Sequence, residues 1–407
     1  MKRFGLIGKK LGHSFSPQIH AMLGDYEYRL YELESEDMIA DFIKNERLDG
    51  FNVTIPYKQA IIPHLDVLSD AAREIGAVNA VYRNAAGQLC GDNTDAYGFS
   101  YTLKRSGADI RGKNVLVIGN GGASKAVCHA LRQAGAEVCV LLHKDNNPEG
   151  IKPYLESDII VNTTPVGMYP NNGAMPLDVR GFKKCGYVFD VIFNPAKTAL
   201  MLAAKKLGIP CTNGLAMLVA QAKRASELFT GVPKDDAETE KIIKAIEKKE
   251  ETISLIGMPG SGKTTVGKIL AERTGKAFAD TDDMIAEKGR TPAEIITEDG
   301  ESAFRRIEAE AVAEAGKRCG SVTATGGGVV TVEENYASLA QNGRIVFINR
   351  DVERLARDGR PLSAGDGAIK RLFEVRLPLY RRFADIEADG NAAPDEVADM
   401  IIKELEK

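Results

Sequence analysis

Short runs of apolar residues alternate with longer stretches in which apolar positions recur at helical spacing, from one end of the chain to the other. That alternation predicts an α/β protein built on parallel sheets, because strands buried on both faces read as continuous apolar runs while their crossover helices are amphipathic. Val115-Leu116-Val117-Ile118 reads as a buried strand, followed by a glycine-rich loop and a helix from about Ser124 to Gln133. The next strands are Val138 to Leu142 and Asp158 to Asn162. The stretch between them, 143–157, contains Pro148, Gly150 and Pro153, so the crossover helix expected there is short or missing. Farther along, Ile253-Ser254-Leu255-Ile256 predicts a strand leading into a second glycine-rich loop. Between these regions, around 232–251, charge rises and apolar content falls, which places a domain break at about 249. No repeat with a period of about 20 to 50 residues runs through the chain.

Composition narrows the class. With 407 residues the chain suggests two or three domains at about 100 to 200 residues each. Hydrophobic residues at 44% and charged residues at 27% are ordinary for a globular protein, and a net charge of -4 gives no basic stripe for nucleic acid. Anionic small molecules must therefore be met by local arginines and helix ends. The six cysteines lack any Cys-x-x-Cys spacing, so a structural zinc site is not expected. The first ten residues start basic without an apolar signal core, and no segment reaches about 18 consecutive apolar residues. A cytoplasmic enzyme without membrane or nucleic-acid partners is the inference.

The first glycine loop, Gly119-Asn120-Gly121-Gly122-Ala123-Ser124, lies between a strand and a helix, as a dinucleotide cradle requires. Glycine at 119 permits the tight turn, and glycine at 121 lets backbone N–H groups approach a pyrophosphate at the helix N-terminus. Ser124 stands where Gly or Ala is usual. Four polar segments precede it: His13-Ser14-Phe15-Ser16-Pro17, Asn52-Val53-Thr54-Ile55-Pro56-Tyr57-Lys58, Gly76-Ala77-Val78-Asn79 and Gly91-Asp92-Asn93-Thr94-Asp95. Singly, each suits a helix cap or turn. Jointly, with Asn162-Thr163-Thr164-Pro165-Val166-Gly167-Met168 and the segment Asn213 to Ala222, they resemble shikimate dehydrogenase over roughly residues 1 to 248.

The resemblance implies that Ser14, Ser16, Thr54, Asn79, Asp95 and Gln221 hydrogen-bond the hydroxyls and carboxylate of shikimate. It makes Lys58 the catalytic residue with Asp95 beside it. The chemistry is consistent: hydride reduction of a ketone leaves negative charge on oxygen, which needs a neighbouring proton donor, and a carboxylate can hold that ammonium in place. For the cofactor it implies Gly119, Asn120, Gly121, Gly122, Ala123, Gly214 and Met217. Two positions depart from the family pattern. Phe193 stands where the family has a substrate-binding Tyr, removing a hydroxyl. After the second strand, Leu142-His143-Lys144-Asp145 replaces the Asn-Arg-Thr of NADP-using members, so His143 or Lys144 takes the arginine's place. NADP is favoured.

The second loop, Gly257-Met258-Pro259-Gly260-Ser261-Gly262-Lys263-Thr264, has the full spacing of a P-loop between a strand and a helix. Its N–H groups, with Gly260, Ser261, Gly262 and Thr265 around them, cradle phosphates, Lys263 reaches the β and γ groups, and Thr264 ligates magnesium. Phe278 to Asp283, Gly300 to Glu308, Thr325-Gly326-Gly327-Gly328, Arg360-Pro361-Leu362 and Arg376 to Tyr380 follow. In this order they resemble shikimate kinase over about residues 250 to 407. The resemblance implies that Asp280 supports magnesium, Asp282 contacts the acceptor hydroxyl, and Arg305 and Arg376 grip the carboxylate. Gly327 lines the pocket with its neighbours, and Arg360 closes over the phosphates. Two arginines make fork-like contacts to one carboxylate that a lysine does not reproduce. The segment Arg357-Asp358-Gly359-Arg360 is shorter than the family's lid. The stretch Asp389 to Pro394 lacks an arginine against the adenine, so weaker ATP affinity is expected.

Together these features predict a substrate-binding α/β domain over 1–100 with C-terminal helices at about 214–248, a Rossmann-like NADP domain over 101–213, and a P-loop, nucleoside-monophosphate-kinase-like α/β domain over 250–407. The expected function is bifunctional: NADPH reduces 3-dehydroshikimate to shikimate, and ATP with Mg2+ phosphorylates shikimate to shikimate 3-phosphate. Two alternatives retain the kinase, one pairing it with a quinate/shikimate-type dehydrogenase using NAD and the other with a non-catalytic shikimate-binding module. The oligomeric state stays open.

Overall fold

The computed structural model describes residues 2–12, 14–355 and 368–407, with the side chain of His143 left aside. The chain forms two compact units. The first comprises Met1–Val166, Met175–Phe193 and Ala203–Ala245, and the second Gly167–Ala174, Asn194–Leu202 and Ile246–Lys407.

The first unit holds two sheets. One is mixed, built from β1 (Arg3–Gly8), β2 (Glu27–Glu32), β3 (Gly50–Val53), β4 (Val67–Leu68), β5 (Ala80–Arg83) and β6 (Leu89–Asp92) in the order β2-β1-β3-β5-β6-β4. Pairing is parallel from β2 to β3 and antiparallel from β3 to β6. The other sheet is wholly parallel, with β7 (Asn114–Ile118), β8 (Glu137–Leu141), β9 (Ile159–Asn162), β10 (Tyr187–Asp190) and β11 (Cys211–Thr212) in the order β11-β10-β9-β7-β8. Val115, Val117, Ile159, Val161 and Phe189 meet Val127 and Leu131 of the helix Gly122–Gln133 in one core. This helix starts two residues before the position read from the sequence, because Gly121 has an extended backbone and serves as its N-cap.

Between β8 and β9 the chain makes only short turns of helix, His143–Asp145, Pro148–Ile151 and Lys152–Tyr154. The expected crossover helix is therefore reduced to single turns, and β8 remains an edge strand. Beside it runs a groove of about 740 Å³ lined by Val140, Asn120, Ser124 and Lys125 among others.

The second unit contains β12 (Thr252–Ile256), β13 (Ala277–Asp280), β14 (Ser321–Ala324), β15 (Gly343–Asn349) and β16 (Ile386–Asp389), all parallel, in the order β13-β14-β12-β15-β16. Strand periodicity sorts the core between two faces. Val346 and Ile348 join Leu270, Val397 and Ile401 on one side, while Ile345 and Phe347 join Val312, Leu339, Tyr380 and Phe383 on the other. The fold is α/β throughout, with three parallel-rich sheets. Among the described residues no helix is long and apolar enough to cross a membrane.

Candidate functional sites

In the first unit the polar segments converge on one cluster. Lys58 donates to Asp95 Oδ2 at 2.5 Å, and both side chains are largely buried. Asp95 sits in the first turn of the helix Thr94–Ser106, which Asn93 caps by accepting from the Ala96 N–H. Asn79 Nδ2 donates to Asp95 Oδ1 at 2.8 Å, to Thr94 Oγ1 at 3.0 Å and to Gln221 Oε1 at 3.3 Å, while its own Oδ1 accepts from the Thr94 N–H. Lys58, Asn79, Asp95 and Gln221 thus form one hydrogen-bonded unit.

The serines lie on another element. Ser14 Oγ accepts from the Ser16 N–H at 3.2 Å, and Ser16 begins the helix Ser16–Leu23. Thr54 is fixed by its backbone, its N–H donating to Ile7 and its carbonyl accepting from Tyr57. Phe193 packs its ring edge-on against Phe15, with centroids 5.1 Å apart, so the residue that lacks a hydroxyl lies beside the serine segment.

Three contributors were not singled out from the sequence. Thr94 takes part in the cluster through Asn79. Asn52 accepts from Tyr28 and donates to the Asn79 carbonyl. Gly98 lets the helix Leu215–Thr230 come close enough for Gln221 to arrive, since a β-carbon there would lie 2.5 Å from the Met217 carbonyl oxygen. Only a close approach of two helices reveals that role.

The dinucleotide loop borders this cluster. Gly119 has φ of 109°, a conformation that L side chains rarely adopt, and Ser124 Oγ donates to its carbonyl at 2.7 Å. Ser124 in the third fingerprint position therefore clamps the turn. The N–H groups of Gly122 and Ala123 lie in the first helical turn, where the helix supplies no acceptor. Gly214 caps the helix that carries Met217, and Met217 itself lies within the core beneath the sheet. Lys144 is exposed in the turn after β8.

The second unit has a cavity of about 270 Å³ between the P-loop and the ends of β13 and β14. It is lined by Gly260, Gly262, Lys263, Thr264 and Thr265, and by Asp280, Asp282 and Gly327. Ser261 lies beneath, nearly fully buried. Lys263 Nζ donates to the carbonyls of Gly257 and Met258, each at 2.9 Å, so the ammonium is held across the mouth of the loop. Thr264 donates to Asp280 Oδ2 at 2.8 Å, and Asp280 in turn caps the helix Thr281–Ala286 through the Asp282 N–H. A hydroxyl and a carboxylate are hard oxygen donors that fit Mg2+, with its remaining positions left to phosphates and water.

Asp282 is pushed up to about 6, first by burial and then by the neighbouring Asp280 charge. Its Oδ1 is buried without a hydrogen-bond partner. Next to it Glu308, fully buried, pairs with Arg305 at 2.5 Å, and Arg305 also reaches Glu301 at 2.8 Å. Burial raises the Glu308 carboxyl above its ordinary range while Arg305 opposes the rise. Arg376 donates to the Gly327 carbonyl at 3.0 Å, as Tyr380 does at 2.5 Å. The run Gly326-Gly327-Gly328 is sterically demanded: β-carbons there would collide with Glu308 Oε1, with Pro259 Cδ and with the Arg305 guanidinium, in that order.

Asp282, Arg305, Arg376 and Gly327 are thus brought together, and Glu308 and Tyr380 join them. Glu308 was legible as an acid three residues after Arg305 on one helix face. Arg360 lies outside the described residues, as does the rest of the short lid.

Comparison with known proteins gives the following likenesses. The shikimate kinase family model matches residues 259–406, and the model of the shikimate dehydrogenase substrate binding domain matches residues 6–81. A shikimate dehydrogenase (NADP(+)) of Caldanaerobacter subterraneus subsp. tengcongensis is 37% identical over 261 residues, covering 56% of this chain and 92% of that protein. Among solved structures, a chorismate mutase/shikimate 5-dehydrogenase fusion protein from Clostridium acetobutylicum has a TM-score of 0.56 and 32% identity, over 61% of this chain and 98% of that one. A shikimate 5-dehydrogenase of Thermus thermophilus, in complex with NADP(H) and shikimate, has a TM-score of 0.54 and 34% identity over 60% of this chain and 99% of that one.

Proposed function

The chain belongs to the shikimate dehydrogenase family, continued by a shikimate kinase domain at residues 259–406, and from that premise we propose how this bifunctional shikimate-pathway enzyme works. The first unit reduces 3-dehydroshikimate to shikimate with NADPH, and the second transfers the γ-phosphoryl group of ATP to the 3-hydroxyl of shikimate. The dinucleotide, when bound, supplies the hydride, and Mg2+ neutralises charge on the phosphate oxygens.

In the first step the Lys58 ammonium stands beside the carbonyl oxygen and gives it a proton as the carbonyl carbon gains hydride. Asp95, 2.5 Å from that ammonium, holds it in place. Asn79 and Gln221, with Thr54, Ser14 and Ser16, orient the ring by its hydroxyls and carboxylate. The loop Gly119 to Ala123 and the Gly214 turn hold the dinucleotide, with Lys144 or His143 meeting its ribose phosphate. The functional parts are those proposed from the sequence, 1–100 with 214–248, 101–213, and 250–407.

In the second step Asp282 accepts the proton of the attacking hydroxyl. Its pKa of about 6 suits that task near neutral pH. Arg305 and Arg376 clamp the substrate carboxylate, Lys263 meets the transferring phosphoryl group, and Thr264 and Asp280 hold the cation.

The buried Lys58–Asp95 pair within the Asn79 and Gln221 network carries the proposal, because it builds a proton donor where the family's substrate domain binds. It is tested by comparing rates of reduction of 3-dehydroshikimate and of 3-dehydroquinate with NADPH and with NADH. Faster turnover of 3-dehydroshikimate with NADPH supports it. Faster reduction of 3-dehydroquinate with NADH would replace it by the quinate reading.

A further inference from the structure

We propose that Arg350 is a nucleotide-binding residue of the second unit, its guanidinium meeting the phosphate chain of the phosphoryl donor beside Gly262; this rests on the kinase reading above. Arg350 follows β15 directly, and β15 lies next to β12, the strand that delivers the P-loop. Its Nη1 is 3.7 Å from where a β-carbon on Gly262 would project. At the other end of the side chain, Arg350 Cβ is 3.2 Å from the corresponding position on Gly390. The side chain therefore runs from the turn after β16 to the phosphate cradle.

Its charge is not consumed locally. Among the described residues Arg350 has no ion pair, and its Nε is buried without a hydrogen-bond partner. The neighbouring polar groups are engaged with each other: the Asp351 N–H donates to Asn391 Oδ1 at 3.0 Å, and Arg354 donates to the Asn391 carbonyl at 3.3 Å. A half-buried cation with an unmet donor is costly to keep without an anion. The group beside which it is kept is a glycine of the phosphate cradle, with φ of 92° and no side chain in the way. A guanidinium presents several donors in one plane and suits phosphate oxygens. Arg350 thereby adds a cation to Lys263 on the nucleotide, offsetting the weaker ATP affinity expected from the missing arginine in Asp389 to Pro394.

The test is binding of MgATP and of inorganic tripolyphosphate to the full chain by calorimetry, for the wild type, Arg350→Lys and Arg350→Met. Thermal unfolding of each variant, together with its KM for shikimate, serves as the control of folding of the second unit. The expected result for Arg350→Met is a loss of about 10-fold to 150-fold for both ligands, as a charge-assisted contact of ~1.5 to 3 kcal/mol implies, with Arg350→Lys between it and the wild type and the KM for shikimate unchanged. Equal affinity of wild type and Arg350→Met for both ligands would overturn the proposal, and so would a loss confined to MgATP, which places the contact on the base. A wild type that binds neither ligand would instead remove the kinase reading.

Discussion

The side-chain stem of Lys58 passes 3.4 Å from the point where a β-carbon on Gly122 would project, so this stem stands against the first turn of the dinucleotide helix. Hydride donor and proton donor must meet at one carbonyl, and this contact brings their supports together. It also explains why glycine at 122 matters beyond the phosphate contact.

Replacing Lys58 with Ala removes the proton donor and leaves Asp95 without its partner. Reduction of 3-dehydroshikimate should fall by about 100-fold to 10,000-fold in kcat, the usual span for a general acid. The kinase rate of the same protein should stay unchanged. Separate assays of NADPH oxidation and ADP formation check both halves; equal loss of the two activities contradicts independent sites.

Asp282 gives the kinase a pH dependence. Because its carboxyl is held near 6, well above its ordinary value, the accepting form grows as pH rises through about 6, and kcat should rise with it. The stability effect has the opposite sign: a folded-state pKa above the unfolded one stabilises the protein below the unfolded value, and that contribution is lost as pH rises through about 6. Asp282→Asn should therefore abolish phosphoryl transfer yet raise Tm at pH 7.5. A variant with lower Tm there contradicts the assignment of a strained buried charge.

Glu308 fails differently. Glu308→Ala leaves Arg305 with Glu301 alone and opens a buried hole beside Gly326. A stability loss on the order of 3 kcal/mol is expected from breaking a buried pair, along with a raised KM for shikimate and an unchanged KM for ATP. Thermal unfolding with initial-rate kinetics checks this.

Gly98 is a packing test of the first site. Gly98→Val places methyl groups against the Met217 carbonyl and the Gln221 stem. The expected outcome is a loss of about 1 to 3 kcal/mol in stability, typical of overpacking, with the KM for 3-dehydroshikimate rising more than that for NADPH. Urea unfolding and steady-state kinetics decide it.

These positions also mark what was legible in the sequence. The two glycine loops, the buried strands and the shortened β8–β9 connection were readable because their signals are local: continuous apolar runs, glycines at fixed spacing and helix breakers in 143–157. The residues Lys58, Asn79, Asp95 and Gln221 were readable only through family order, and the fold brings them into one network. Gly98, Asn52 and Tyr380 gave little signal, because their roles arise where distant backbones approach. A glycine within a helix looks like a weak helix former until the second helix lies against it. The helix at 122 started early for a similar reason: the extended Gly121 capped it, and spacing of apolar residues cannot register a cap made by backbone alone.

The most direct test of the account supplies the pure protein with 3-dehydroshikimate, NADPH, ATP and Mg2+ and follows the products by mass spectrometry. The prediction is shikimate 3-phosphate, formed with one NADPH oxidised and one ATP consumed per molecule, and formed about 100-fold to 10,000-fold more slowly when Lys58→Ala replaces the wild type. Recovery of unphosphorylated shikimate alone, or of unchanged 3-dehydroshikimate, would contradict it.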